Sequence, residues 1–182
     1  YVSLGSLDET QVKAVQVNGV APSADAVKDG SYSVSRPFNI ATMGEPEGLA
    51  ADFINFIMSD EGQAIVEEEG YISQGSTGAF EGTLPEGEIT VGGSSSVTPV
   101  MEKLIEGYQA LNANANIQLQ QSDSTTGMNS AIDGSYDIGM ASREVSDSEL
   151  EAGLQNTVIA LDGIAVIVNL ENPINNLTSE QI

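Results

Sequence analysis

An α/β domain with a mixed or mostly parallel sheet flanked by helices is the fold this sequence predicts, and three features carry the prediction. Extended and helical segments alternate through the chain, the pattern that builds a sheet covered by helices. The segment Thr157–Val168 is almost continuously apolar, as a strand covered on both faces is. Two strands run into Gly/Ser/Thr turns that open amphipathic helices, the connection expected of such layers.

The elements follow in order. Residues 2–7 and 13–17 read as strands, and 23–29 as a short helix entered through Pro22 and Ser23. Ser33–Thr42 is extended, because Pro37 disfavours helical backbone at Arg36. From Pro46 to Glu69, Ala50, Phe53, Ile54, Ile57 and Met58 share one helical face and Ala64, Ile65 and Val66 supply a second run. Ser59-Asp60-Glu61-Gly62 divides this stretch into two helices, with Ser59 capping the second and Gly70 closing it. The Gly-, Ser-, Thr- and Pro-rich stretch Gln74–Gly87 reads as an exposed, loosely packed linker. After it, Ile89–Gly92 is a strand, and Val97, Val100, Met101, Leu104, Ile105, Tyr108 and Leu111 mark a helix over Val97–Asn112. Asn116–Gln121 is a strand, Thr125–Asp133 a helix, Tyr136–Ala141 a strand and Asp147–Leu154 a helix begun by Ser146.

Composition narrows the chemistry. The 182 residues suffice for one domain, 1–182, with its own core. Neither cysteine nor histidine is present, which removes zinc–thiolate sites and every nucleophile arrangement that needs a histidine base. Acidic residues number 27 against five basic ones, for a net charge of −22, with 13 acidic residues before Glu86 and 14 from it onward. So even a negative field repels nucleic acid, whose binding depends on Lys and Arg displacing counterions. No motif pairs carboxylates in a glycosidase or metal-ligand pattern, so neither an enzyme, a cofactor nor a metal is expected.

What remains is anion binding by backbone and hydroxyls. The turns are Gly92-Gly93-Ser94-Ser95-Ser96 and Ser122-Asp123-Ser124-Thr125-Thr126-Gly127. A helix start presents unpaired N–H groups and roughly half a positive charge, and neighbouring hydroxyls rotate to donate. Simple capping by Ser96 and Ser124 is the alternative reading. Neither turn carries the lysine of a phosphate loop, which disfavours a nucleotide triphosphatase. Arg143, one of two arginines, follows a strand beside Ser142. It suits either a bidentate contact to an oxyanion or an ion pair with Glu144, Asp137 or Asp162. Arg36 reads as a structural ion-pair partner. Asp162, followed by Gly163, interrupts the apolar run and reads as a bend or bulge. It would accept hydrogen bonds there, orient Arg143 or receive the proton of a ligand such as hydrogen phosphate.

Several long stretches together resemble the phosphate-specific substrate-binding proteins of ABC transporters in their Gram-positive form. ITVGGSSSVTPVMEKLIEGY, QQSDSTTGMNSAIDGSYDIGMASRE, VIALDGIAVIVN and NPINNLTSEQI are similar to the family's amino-terminal half. YVSLGSL, VKAVQVNGVAP, VKDGSYSVSRPFNIAT and DFINFIMSDEGQAIVEEEGYIS are similar to its carboxyl-terminal part. The order is inverted relative to the usual family arrangement. The resemblance therefore implies one lobe of a type II periplasmic-binding-protein-like fold in circularly permuted order: 1–73, a linker 74–87, and 88–182. A second lobe would be built by residues outside this segment.

The resemblance further implies a non-enzymatic, extracytoplasmic protein, secreted or lipid-anchored, that captures inorganic phosphate for a membrane permease. It places ligand contacts at Ser95, Ser96, Ser124 and Thr125, with Ser94 and Asp123 supporting them. A proton-accepting aspartate in many family members falls on Arg143 here, which leaves the acceptor role unfilled or shifts it to Asp123 or Asp162. Sulfate or another oxyanion, and an interaction or sensor role without ligand, remain as alternatives.

Overall fold

A computed structural model describes residues 1–182. Its centre is a six-stranded sheet in the order β1-β8-β4-β7-β5-β6, formed by β1 (Val2–Ser3), β4 (Ser35–Met43), β5 (Gly87–Ser94), β6 (Ala115–Ser122), β7 (Ile138–Ala141) and β8 (Leu154–Ala165). β5, β6 and β7 run parallel, whereas β4 is antiparallel to both β7 and β8. The sheet is therefore mixed, as the alternation of elements predicts. Short strands β2 (Lys13–Ala14), β3 (Gln16–Val17), β9 (Ile167–Val168) and β10 (Asn176–Leu177) form two small ladders. The extended readings at 2–7 and 13–17 thus reduce to two-residue pieces, and residues 4–6 close into a 3₁₀ turn.

Helices cover both faces. α2 (Gly48–Met58), α3 (Asp60–Glu68) and α4 (Thr98–Leu111) bring Phe53, Phe56, Ile57, Val66, Met101, Leu104 and Tyr108 against Phe38, Ile40, Val91, Ile138 and Met140 of the sheet, in one cluster of 21 buried residues. α5 (Ser124–Asp133) lies on the other face, where Met128 and Ala131 pack on Ala41, Ala141, Val145 and Leu154. α1 (Ala24–Lys28) and α6 (Asp147–Glu151) are short. Ser23 caps α1, Ser59 caps α3 and Ser146 caps α6.

Two expectations need correction. The bulge in β8 sits at Ile159, not at Asp162: Phe38 faces Ala160 and Asn39 faces Val158, so Ile159 has no partner of its own. The extra residue lets Ile159 and Ala160, though consecutive, both enter the main core. Asp162 stays in register opposite Arg36, is 1% exposed, and is satisfied by Arg36 Nε at 2.9 Å and Ser3 Oγ at 2.5 Å. It completes the structural ion pair expected of Arg36, for which the sequence named no partner, and has no link to Arg143.

The linker 74–87 is exposed as expected, with no residue buried, but it is not loose. Buried Asp52 on α2 accepts the amides of Thr83 and Leu84 and the Tyr108 hydroxyl. Burial, and then this hydrogen bond, push the Tyr108 phenol up to about 12. Phe80 packs edge-on against Phe56, the Thr77 amide bonds to Met58 and the Asp60 amide to Gly78. A stretch without regular structure is thus pinned by Asp52 and Phe56 of the segment before it and by Asn112 of the segment after it, whose side-chain amide donates to the Pro85 carbonyl.

Candidate anion-binding site

Parallel pairing places the carboxyl ends of β5, β6 and β7 together, with Ser94 opposite Ser122 and Gly93 opposite Met140. Three glycines then let α5 press against that end. A Cβ on Gly127 would lie 2.7 Å from Gly93 Cα, and one on Gly93 2.2 Å from the Met140 carbonyl. Both distances are below any real contact, so only glycine allows the first turn of α5 to sit on the sheet backbone. At Gly139 a Cβ would meet the Gly127 carbonyl at 2.5 Å. The two serine turns are neighbours because these side chains are absent.

Three hydroxyls join the turns. Ser94 Oγ donates to Ser142 Oγ at 3.0 Å, Ser142 and Ser124 Oγ lie 3.4 Å apart, and the Ser142 amide donates to Ser124 Oγ at 3.0 Å. The protons can be counted. The Ser94 proton is committed to Ser142, and one more is used between Ser142 and Ser124 whichever of them donates. Of three hydroxyl protons, one is left to donate outward.

The capping reading fails for both serines to which it was applied. Val97 occupies the N-cap of α4 and makes no side-chain cap bond. Asp123 is the N-cap of α5, accepting the Thr126 amide and hydroxyl, and the hydroxyl bond leads in holding its carboxyl below the usual range. The hydroxyls of exposed Ser95 and half-buried Ser96 make no hydrogen bond within the chain, nor does the Ser95 amide. The Ser95 amide and the Ser95 and Ser96 hydroxyls are therefore the donors of this turn left without a partner in the chain, whereas the Ser96 amide is taken by Ser94 Oγ.

Arg143 lies beside them. Its Nη1 and Nη2 donate to Glu149 Oε2 and Oε1 at 3.0 and 2.8 Å, Nη1 also reaches the Glu144 carbonyl, and Nη2 reaches Thr125 Oγ1 at 3.4 Å. Its ion-pair partner is thus Glu149, rather than Glu144, Asp137 or Asp162; Asp137 is occupied by the Thr90 amide. The arginine's hydrogen bond is the main cause holding the Glu149 carboxyl below its ordinary range, against the opposing effect of burial. The same bond raises the guanidinium. The Arg143 carbonyl accepts from buried Asn39, whose own oxygen accepts from Asn156.

The structure therefore brings Ser94, Ser95, Ser96, Asp123, Ser124, Thr125 and Arg143 to one end of the sheet and leaves Asp162 in its pair with Arg36. Ser142, Glu149 and Asn39 join the group without having been predicted as site residues. Only Ser142 carried a signal, its place in the turn after β7 next to Arg143. A surface cavity of about 300 Å3 lies elsewhere, between α4 and edge strand β6. Its lining includes Glu102 and Glu106, which makes it repellent to anions. No group of three or more carboxylates is arranged to hold a metal ion.

Comparison with known proteins gives concordant results. Residues 75–182 match the PBP superfamily domain. The whole chain aligns at 49% identity with phosphate-binding protein PstS 2 of Streptococcus agalactiae and at 38% with PstS 2 of Streptococcus pneumoniae. In both cases it spans 62% of the relative's length. The crystal structure of a phosphate-binding protein of a phosphate ABC transporter from S. pneumoniae superposes with a TM-score of 0.90 at 38% identity, over 97% of this chain and 68% of that one.

Proposed function

This chain belongs to the phosphate ABC-transporter binding-protein family of the PBP superfamily, and we propose that it forms one wall of a site that captures inorganic phosphate outside the cytoplasm for a membrane permease. The observation that carries the reading is the hydroxyl chain from Ser94 through Ser142 to Ser124. It fuses the starts of α4 and α5 into one donor surface. On this reading Ser95, Ser96, Ser124 and Thr125 meet the ligand, Arg143 approaches it through Nε, and Asp123 supports the turn. No helix is long and apolar enough to cross a membrane. Binding rather than catalysis fits a surface of donors that lacks a histidine or cysteine base.

We also read the chain as an inverted arrangement of the family's two lobe segments. The superfamily match begins at residue 75, inside the linker, while PstS 2 of S. agalactiae aligns through both segments in a single run. Both facts favour a start of the usual family order at the linker and an inversion shared with the streptococcal relatives. On this reading the opposing wall comes from a second lobe, and this end of the sheet faces it.

Phosphate titration followed by amide NMR tests the site. Signals of Ser94–Ser96, Ser124 and Ser142 should move together, and Ser124→Ala should abolish the shifts. Shifts confined to other residues, or none up to tens of millimolar, would remove the reading. Sulfate belongs in the same experiment, because the two carboxylates bonded into this surface are both engaged: Asp123 caps α5 and Glu149 holds Arg143. Equal response to sulfate would make the ligand class oxyanions rather than phosphate.

A further inference from the structure

We propose that Glu149 sets the affinity of this site by occupying the two-pronged face of Arg143, so that an incoming anion meets an arginine whose charge is already balanced. The proposal rests on the anion-binding reading above and deepens it. Its basis is geometric. Glu149 takes both terminal nitrogens of the guanidinium, at 2.8 and 3.0 Å, the arrangement that carboxylates and oxyanions both prefer. Thr125 and the Glu144 carbonyl absorb further donors. Only Nε–H is without a partner in the chain, on a side chain that remains 36% exposed.

Glu149 is held in that position independently of any ligand. It is the N3 residue of a capping box: Ser146 Oγ accepts the Glu149 amide while Glu149 Oε2 accepts the Ser146 amide. The carboxylate is therefore anchored to the start of α6 and cannot swing aside without uncapping the helix. Asn39 fixes the other side of the pair by holding the Arg143 carbonyl. An anion cannot displace Glu149 cheaply, and it is left with one N–H and the serine donors. Glu149 is thus a positioning and charge-balancing residue that acts through Arg143. The arrangement keeps binding weak enough to reverse and leaves discrimination to the hydroxyls.

Glu149→Gln isolates the charge, because glutamine also serves at N3 of a capping box and retains one acceptor for Arg143. The experiment titrates wild type, Glu149→Gln, Arg143→Gln and the double variant with phosphate and with sulfate, reading serine amide shifts and the Nε–H signals of the two arginines. Glu149→Gln should tighten both anions by roughly tenfold, as removal of one nearby like charge at a surface site does, with the Arg143 Nε–H signal moving on addition. In the Arg143→Gln background the same change should give only a small gain. Unchanged or weaker binding by a folded Glu149→Gln chain overturns the proposal. So does an equal gain in the absence of Arg143, which would indicate general charge reduction. If no variant binds either anion, the site reading itself fails, and the proposal with it.

Discussion

At the scale of single residues, the Arg143–Glu149 pair also links stability to pH, and the sign can be worked out. The Glu149 carboxyl is held below its ordinary value in the folded chain, first by the hydrogen bond from Arg143. The unfolded chain, with an ordinary glutamate near about 4.3, takes up its proton first as pH falls. The pair's contribution is therefore complete above about pH 5 and drains away as pH drops through the folded value. Total stability need not follow that course, since protonating carboxylates also relieves repulsion in a chain of charge −22. The informative quantity is the difference between wild type and Glu149→Gln in denaturant melts at neutral pH and at about pH 3.5. Wild type should hold an advantage at neutrality and lose it in acid. Parallel profiles would show that the pair contributes no folding free energy.

At the scale of elements, the start of α5 depends on what Gly127 lacks. Gly127→Ala adds a methyl group that would lie 2.7 Å from both Gly93 Cα and the Met140 carbonyl. Backbone cannot yield as a side-chain tip does, so α5 must lift from the sheet, at a cost of about 2 kcal/mol. The same shift should separate Ser124 from Ser142, so serine amide shifts should change even without ligand. A stability loss under about 0.5 kcal/mol would mean that the contact is slack. Element order was legible in the sequence because apolar spacing marks helices and strands locally: α4 and α5 fall within one residue of their expected starts. Long-range pairing leaves no such local trace. Nothing in the spacing announced that Asp52 would reach Thr83 and Leu84, so composition suggested a slack linker where there is a pinned one. Glu149 was legible as part of α6 but not as the partner of Arg143, because the arginine's nearer acidic neighbour, Glu144, offers it only a carbonyl.

At the scale of the whole molecule, the strength of the proposed phosphate binding follows from how much of the anion this surface can reach. About five donors are available: the Ser95 amide and hydroxyl, the Ser96 hydroxyl, the one outward proton of the Ser94–Ser142–Ser124 chain, and Arg143 Nε–H. At a net ~1 kcal/mol each, set against the retained hydration of the uncovered side, they support an affinity of roughly millimolar. An opposing wall that excludes water would raise the worth of each bond, because every charge-assisted contact strengthens as the local dielectric falls. The surface charge of −22 acts against capture. Its reach shrinks from about 30 Å at 10 mM salt to about 8 Å at physiological salt. Direct contacts at 3 Å are much less affected than that distant repulsion. Phosphate binding by this 182-residue chain should therefore be millimolar and should strengthen as an inert salt is raised from about 10 to 150 mM, the opposite of binding to a basic pocket. Calorimetric titration at the two salt concentrations measures both quantities. Sub-micromolar affinity would place a complete site within this chain, and weakening with salt would mean that Arg143, despite Glu149, dominates the field the anion meets.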